Sequence, residues 1–337
     1  MTEHSNPIKV QLICLIPNSR VDGIVTYCNA LTELFRDDES VTVLPHLTPP
    51  LIESKMLNDL FKWKPFYQSV KESDADIFHI NGYTSFTVLE AFIACRLLHK
   101  RIVYTPHWHP YKMLRRPLLG MSFFNLLIRP FLSKIRAIVT LNSEDSNYFA
   151  FLKDKVWRIP HWNRLTVEES YLNTPKKKDM ILFIGRFNAD NKGFEYLYHL
   201  PEGVYDIHCV GKGEIEKRSD MTIHTDIPVE ELKSLYAQAS LVVIPSKYEA
   251  FSYVSLESLS FNTPIVMSNR VRIADYIRGF EGVTIFPYGS YQAFVESVAS
   301  TIGKPVAREE ILAKFSPENI RKRYTMLYQT AIQDNLK

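Results

Sequence analysis

The sequence predicts a parallel α/β protein built from two doubly wound domains. Three observations carry this. Short apolar runs alternate with helix-spaced segments from end to end, as strand–helix–strand units require. The alternation lapses once, around 163–179, and then begins again. The glycine-bearing polar loops follow the carboxyl ends of strand candidates, where open parallel sheets take ligands. A chain of 337 residues, 46% of them hydrophobic, can bury a core in each half.

In the first half the strand candidates are 8–16, 41–45, 77–80, 101–105, 137–141 and 156–159. Segments 24–35, 84–98 and 143–152 have helical spacing. Thr174-Pro-Lys-Lys-Lys-Asp179 is polar and breaks both periods, so it reads as a linker. The second series runs 180–184, 205–210, 221–224, 241–244, 264–267 and 283–286. Both halves open alike, with a strand, a polar loop ending in glycine (Gly23, Gly193) and a helix. Ser316-Pro-Glu caps a last helix running towards Gln333. The expected division is 1–163, a linker at 164–178, a second domain at 179–315, and a terminal helix at 316–337.

Lys+Arg 40 against Asp+Glu 37 leaves a net charge of +3, which argues against a nucleic-acid binder. The four cysteines are scattered without a C-x-x-C pair, which suits buried thiols in a cytosolic compartment. The apolar run at 10–16 is too short for a signal peptide, and no run is long enough for a transmembrane helix. Charge is uneven: 91–143 has no Asp or Glu but nine Lys/Arg, interleaved over 111–136 with Leu, Met and Phe. That mixture suits either an anionic membrane surface or a packed helix with a solvated basic edge.

The segment Ser246-Lys-Tyr-Glu-Ala-Phe-Ser-Tyr-Val-Ser-Leu-Glu257 is the most informative. It follows an apolar strand and places Glu249 in a loop. Ser252 reads as a helix N-cap, with Glu257 inside the helix that follows. Free N–H groups at a helix mouth suit phosphate, and carboxylates suit vicinal hydroxyls. Together they describe a sugar nucleotide. In Gly185-Arg186…Lys192-Gly193, a forked and a point cation flank a loop where phosphate could sit, although two solvated cations would show the same spacing. Val210-Gly211-Lys212-Gly213 reads as a strand-to-helix turn and lacks the G-x-G-x-x-G fingerprint. His107 and His109 flank Trp108 after a strand, as backbone-bonded loop histidines or as contacts to a sugar hydroxyl. His79 and Asn81 end another strand, and Asp22-Gly23 opens the first helix.

Taken in order, G-R-F…N-K-G, V-G-K-G, P-S-x-x-E-A-F-S-x-x-x-x-E and T-P-I-V resemble a retaining glycosyltransferase of family 4, of the type that builds bacterial surface polysaccharide such as lipopolysaccharide or capsule. The resemblance implies the GT-B fold, two facing Rossmann-like domains with a cleft between them. The first would be the acceptor side, the second would bind nucleotide sugar, and the last helix would cross back. It implies a metal-independent hexosyltransferase with no cofactor, acting on a nucleoside-diphosphate sugar and a lipid-linked or surface-glycan acceptor. The enzyme would be cytoplasmic, or peripheral at the inner face of the membrane through 111–136. A sugar-nucleotide epimerase of the same fold, or a non-catalytic partner subunit, are the alternatives.

By position, the resemblance gives Glu257 to the ribose hydroxyls and Glu249 to the donor sugar. Arg186 and Lys192 go to the diphosphate, with backbone N–H groups of Phe251, Ser252 and Tyr253. Gly185 and Gly211 lie in the donor-side turns. His107 would touch the sugar near the reacting carbon, and Gly23 would let its loop approach the phosphates. The chain departs from the family at Ala250 and Ser252, where glycines are usual, at His161-Trp162, where Asn-Gly is common, and at Asp22, where many relatives have glycine.

Overall fold

A computed structural model describes residues 6–14, 23–48, 56–82, 86–107, 124–189, 191–216 and 218–333. The chain forms two compact units: one holds the residues up to Pro160 together with Ile320 onward, the other His161–Asn319. Each is built on a six-stranded parallel sheet.

In the first unit the strands are β1 (Ile8–Cys14), β2 (Val41–Leu47), β3 (Ile77–Asn81), β4 (Arg101–Thr105), β5 (Ala137–Thr140) and β6 (Val156–Arg158). Their order is β2-β1-β3-β4-β5-β6, so the sheet changes direction of winding between β1 and β3. Runs such as Ile77–Asn81 are buried along their whole length because helices cover both faces. The crossover helices include Gly23–Leu34, Met56–Glu72 and Phe86–Leu97. The terminal helix Pro317–Ile332 starts where Ser316 Oγ accepts from the Asn319 N–H at 3.2 Å, and it buries Tyr324, Leu327 and Tyr328.

The second unit holds β7 (Met180–Ile184), β8 (Asp206–Val210), β9 (Met221–His224), β10 (Leu241–Ile244), β11 (Ile265–Ser268) and β12 (Val283–Phe286). Their order, β12-β11-β10-β7-β8-β9, is that of a dinucleotide-binding sheet and reverses between β7 and β10. The helices Val229–Gln238, Tyr253–Ser260 and Tyr291–Thr301 flank it. Its core gathers Phe183, Phe194, Leu197, Val243 and Phe294.

Three local expectations change. After Gly193 the chain forms a six-residue 3-10 turn, Phe194–His199, rather than an α-helix, because Leu200 precedes a proline and is held extended. Among the described residues no helix follows Gly211-Lys-Gly213; the segment leads to β9. It is tied sideways instead: Gly211 N–H donates to His224 O at 3.0 Å, and Phe187 N–H to Lys212 O at 2.9 Å. Helical spacing over 143–152 resolves into a helix at Ser143–Tyr148 and a 3-10 stretch at Ala150–Lys155, where Lys153 takes a positive φ of 46°.

The lysine-rich stretch 174–179 is packed within the second unit. Lys177 N–H donates to Gln238 O at 2.8 Å, and Lys176 Nζ reaches Phe261 O at 2.9 Å. All four cysteines are buried free thiols. Among the described residues no helix is long and apolar enough to cross a membrane.

Candidate functional site

In a parallel sheet every strand ends at the same edge, so the loops after β7, β10 and β11 meet where the second sheet reverses. Gly193 lets them close. It has a φ of 70°, and a Cβ there would lie 2.1 Å from Pro245 O. Lys247 N–H then donates to Asn191 O at 2.9 Å. This brings Lys192 Nζ to Glu249 Oε1 at 2.9 Å, with side chains 24% and 11% exposed. Ser246 Oγ donates to the same carboxylate oxygen at 2.6 Å. From the other side, Glu249 N–H donates to Arg270 O at 3.3 Å and Arg272 N–H to Glu249 O at 3.0 Å. Lys192 and Glu249, assigned separate tasks by position, are therefore one ion pair, and the ammonium keeps two further N–H donors.

Gly185 and Gly211 form the neighbouring corner. Gly185 N–H donates to Val210 O at 2.9 Å, and a Cβ on Gly211 would lie 1.9 Å from Gly185 O. Gly211 is thus required by the packing of the two turns, whereas a Cβ on Gly185 would make only ordinary contacts of 3.4–3.5 Å with Lys192 and Phe183. Arg186, between them and Lys192, is exposed, and its guanidinium has no hydrogen bond or ion pair to any described residue.

The helix Tyr253–Ser260 begins as the sequence predicts: Ser252 Oγ accepts from Ser255 N–H at 3.3 Å. The N–H groups of Tyr253 and Val254, ahead of Ser255, have no partner within the helix. Phe251 is buried, and its ring meets His161 edge-on at 5.0 Å. Tyr253 stacks on His161 at 4.9 Å, and the Arg164 guanidinium lies 3.7 Å from the Tyr253 ring centre. The Tyr253 hydroxyl is buried without a hydrogen-bond partner among the described residues. One turn on, Glu257 Oε2 accepts from the Tyr236 hydroxyl at 2.8 Å. Burial pushes the Glu257 carboxyl above the usual carboxylate range; the Tyr236 hydroxyl and Arg164 work against that by favouring its ionised form.

His107 and Gly23 belong to the other unit. His107 follows β4, takes a positive φ of 54°, and meets the Tyr27 ring at 4.4 Å. Its Nε2 is 3.3 Å from Asn81 Oδ1, while Asn81 Nδ2 donates to His79 O at 2.9 Å. Asn81 so oriented makes His107 Nε2 the protonated nitrogen. Beneath it His79 is fully buried between Thr105 Oγ1 (2.7 Å) and the Tyr328 hydroxyl (2.9 Å). Burial pushes both imidazoles down to about 3. Gly23 opens its helix, and a Cβ there would meet nothing within 4 Å among the described residues. Asp22, Trp108, His109 and 111–123 lie outside the described residues.

Sequence reasoning missed three side chains, Tyr236, Lys176 and Arg164, and gave His161 no part in the site. Tyr236 and Lys176 lie 21 and 85 positions from the groups they bind, Glu257 Oε2 and Phe261 O. Arg164 and His161 follow a strand in the sequence, and only His161 drew notice, as a departure from the family. Among the described residues no three His, Cys, Asp or Glu side chains converge as a metal site.

Residues 178–304 match the family described as Glycosyl transferases group 1, and residues 20–162 match Glycosyltransferase Family 4. The chain is 29% identical over 178 residues to an uncharacterized glycosyltransferase of Methanocaldococcus jannaschii, covering 46% of this chain and 45% of that one. It is 25% identical over 185 residues to the lipopolysaccharide core biosynthesis glycosyltransferase LpsE of Rhizobium meliloti, covering 48% of this chain and 53% of that one. The matches therefore span about half the length of these two curated relatives. Anabaena HepE, solved with UDP-glucose, superposes with a TM-score of 0.69 at 13% identity, covering 96% of this chain and 99% of that one. Both halves of the chain match glycosyltransferase family models, and the expected GT-B fold is met.

Proposed function

We propose that the chain is a retaining glycosyltransferase, of family 4 type, that moves a hexose from a nucleoside-diphosphate sugar to a hydroxyl of a lipid-linked or surface-glycan acceptor. The observation that carries this is the Lys192–Glu249 pair at the reversal point of the second sheet, beside the open helix mouth at Ser252. In this reading Arg186, Lys192 and the N–H groups near Phe251, Ser252 and Tyr253 hold the diphosphate. Glu257 takes the ribose hydroxyls, Glu249 the sugar, and His107 the sugar near its reacting carbon. HepE with UDP-glucose supports the donor class, and LpsE supports a cell-surface glycan as product.

The chemistry needs charge stabilisation more than a nucleophile. The bond from the anomeric carbon to the diphosphate oxygen breaks, and its electron pair leaves with the diphosphate. The acceptor oxygen bonds that carbon from the same face, and its proton passes to the leaving phosphate oxygen. Fixed cations where negative charge gathers lower this barrier, so the reaction as proposed requires no metal. The described part of the basic stretch supports contact with an anionic membrane surface: Leu126 is 76% exposed, near the exposed cation Arg129, whose guanidinium lies 4.5 Å from the centre of the exposed Phe151 ring. That would place the enzyme at the cytoplasmic face.

Calorimetric titration with UDP, GDP, ADP and CMP tests the donor site. Saturable binding of one nucleoside diphosphate is expected; a folded protein that binds none refutes the reading. Turnover of the donor sugar without any acceptor would instead indicate an epimerase. Co-sedimentation with anionic vesicles tests the surface, and its absence counts against a lipid-linked acceptor.

A further inference from the structure

We propose that Tyr236 is the positioning residue for Glu257: its phenol hydroxyl fixes that carboxylate and keeps it facing a ribose as an acceptor. The proposal rests on the reading that Glu257 takes the ribose hydroxyls.

Three observations carry it. First, the Tyr236 hydroxyl donates to Glu257 Oε2 at 2.8 Å, its only hydrogen-bond partner among the described residues. A phenylalanine would fill the same space, so the hydroxyl serves the carboxylate. Second, Tyr236 is locked. It is fully buried, its ring stacks on Phe261 at 5.4 Å with planes 12° apart, and its carbonyl accepts from Thr263 Oγ1 at 2.7 Å and Lys176 Nζ at 3.4 Å. A donor that cannot swing away holds the carboxylate in one rotamer. Third, Glu257 needs the help. Its surroundings disfavour charge, and a protonated carboxyl would present an O–H where a diol needs acceptors. With one lone pair of Oε2 engaged by Tyr236, the ionised carboxylate still has sites for two ribose hydroxyls. Glu257 lies one turn beyond Tyr253, whose ring carries Arg164, so a cation also stands near.

The test compares UDP with 2′,3′-dideoxy-UDP by calorimetry, or the corresponding GDP or ADP pair if the panel above names another base. Wild type should prefer the intact ribose by about tenfold or more. Tyr236→Phe should weaken UDP about five- to tenfold and leave the dideoxy compound unchanged. Its loss should grow as the pH is lowered, because Glu257 then protonates more readily. In a Glu257→Gln background, Tyr236→Phe should change nothing further, which separates positioning from packing even if the single variant is less stable. Equal weakening of both nucleotides, or of neither, overturns the proposal and leaves Tyr236 a packing residue. A wild type that does not distinguish the two nucleotides overturns the ribose reading of Glu257 itself, a different result.

Discussion

Lys192 donates to Glu249 Oε1 at 2.9 Å, so a cation from the loop after β7 and a carboxylate from the loop after β10 are held as one unit. Lys192→Met leaves a carboxylate that is 11% exposed without its counter-ion, with only the Ser246 hydroxyl in support among the described residues. It should cost about 1–2 kcal/mol of stability. Lys192→Met with Glu249→Gln should recover most of that in a thermal melt. If Lys192 is a fixed cation for the leaving diphosphate as proposed, turnover should stay down about a hundredfold in both. Full turnover in the double variant would remove the pair from the chemistry.

Glu257→Gln should bind nucleotide about tenfold or more weakly yet melt higher at neutral pH. The folded carboxyl holds its proton to a higher pH than an unfolded glutamate. Between those two values the folded state binds more protons, so this group's contribution to stability falls as pH rises. Above the folded carboxyl's raised value the charged carboxylate is a net cost, and the neutral amide relieves it by about 1–3 °C. The gap between variant and wild type should close on acidification. A lower melting temperature at pH 7.5 would contradict this account.

Lys176 behaves oppositely with pH. Burial pushes its ammonium from 10.5 down to about 8, while it donates to Phe261 O at 2.9 Å and to Thr263 Oγ1. Between those values the unfolded chain binds more protons, so the stability Lys176 contributes rises with pH. Lys176→Met strands acceptors at the ends of two helices, at a cost of about 1–3 kcal/mol. The wild-type advantage in melting temperature should widen from pH 7.5 to pH 10; a constant or shrinking advantage would show that the ammonium is not buried in solution.

Two glycines should separate folding from ligand binding. Gly193→Ala puts a Cβ 2.1 Å from a backbone carbonyl at a φ of 70° and should cost several kcal/mol, about 3 or more, or abolish folding. Gly23→Ala meets no described atom within 4 Å, so the melting temperature should hold within about 2 °C. If the phosphates approach Gly23 as proposed, donor affinity falls all the same. Unchanged donor affinity in Gly23→Ala would remove that loop from the donor site.

The twelve strand candidates all appear as strands, five of them with the expected bounds, because runs such as Leu241–Ile244 are apolar and β-branched for reasons local to each strand. The Ser252 and Ser316 caps were legible for the same reason: a cap is a contact three residues long. The lysines of 174–179 were misleading, since charge composition marks a solvated stretch unless acceptors from elsewhere enclose one ammonium, as Phe261 O and Thr263 Oγ1 do. Tyr236 gave no signal, because an aromatic residue on a helix reads as core whether or not its hydroxyl has work.

By itself the sequence determined that strands and helices alternate in two series, and that Arg186, Lys192, Glu249 and Glu257 stand in loops or at a helix start after strands. Periodicity and caps are short-range, and so they survive without a fold. Only the tertiary structure decided that β7 lies beside β10, which makes the loops of residues 57 positions apart meet as the Lys192–Glu249 pair. It alone decided that Tyr236 meets Glu257 and that Gly193 meets Pro245. Strand order follows from how crossovers of right-handed sense pack helices on both faces of a sheet, a global condition that no single window of residues contains.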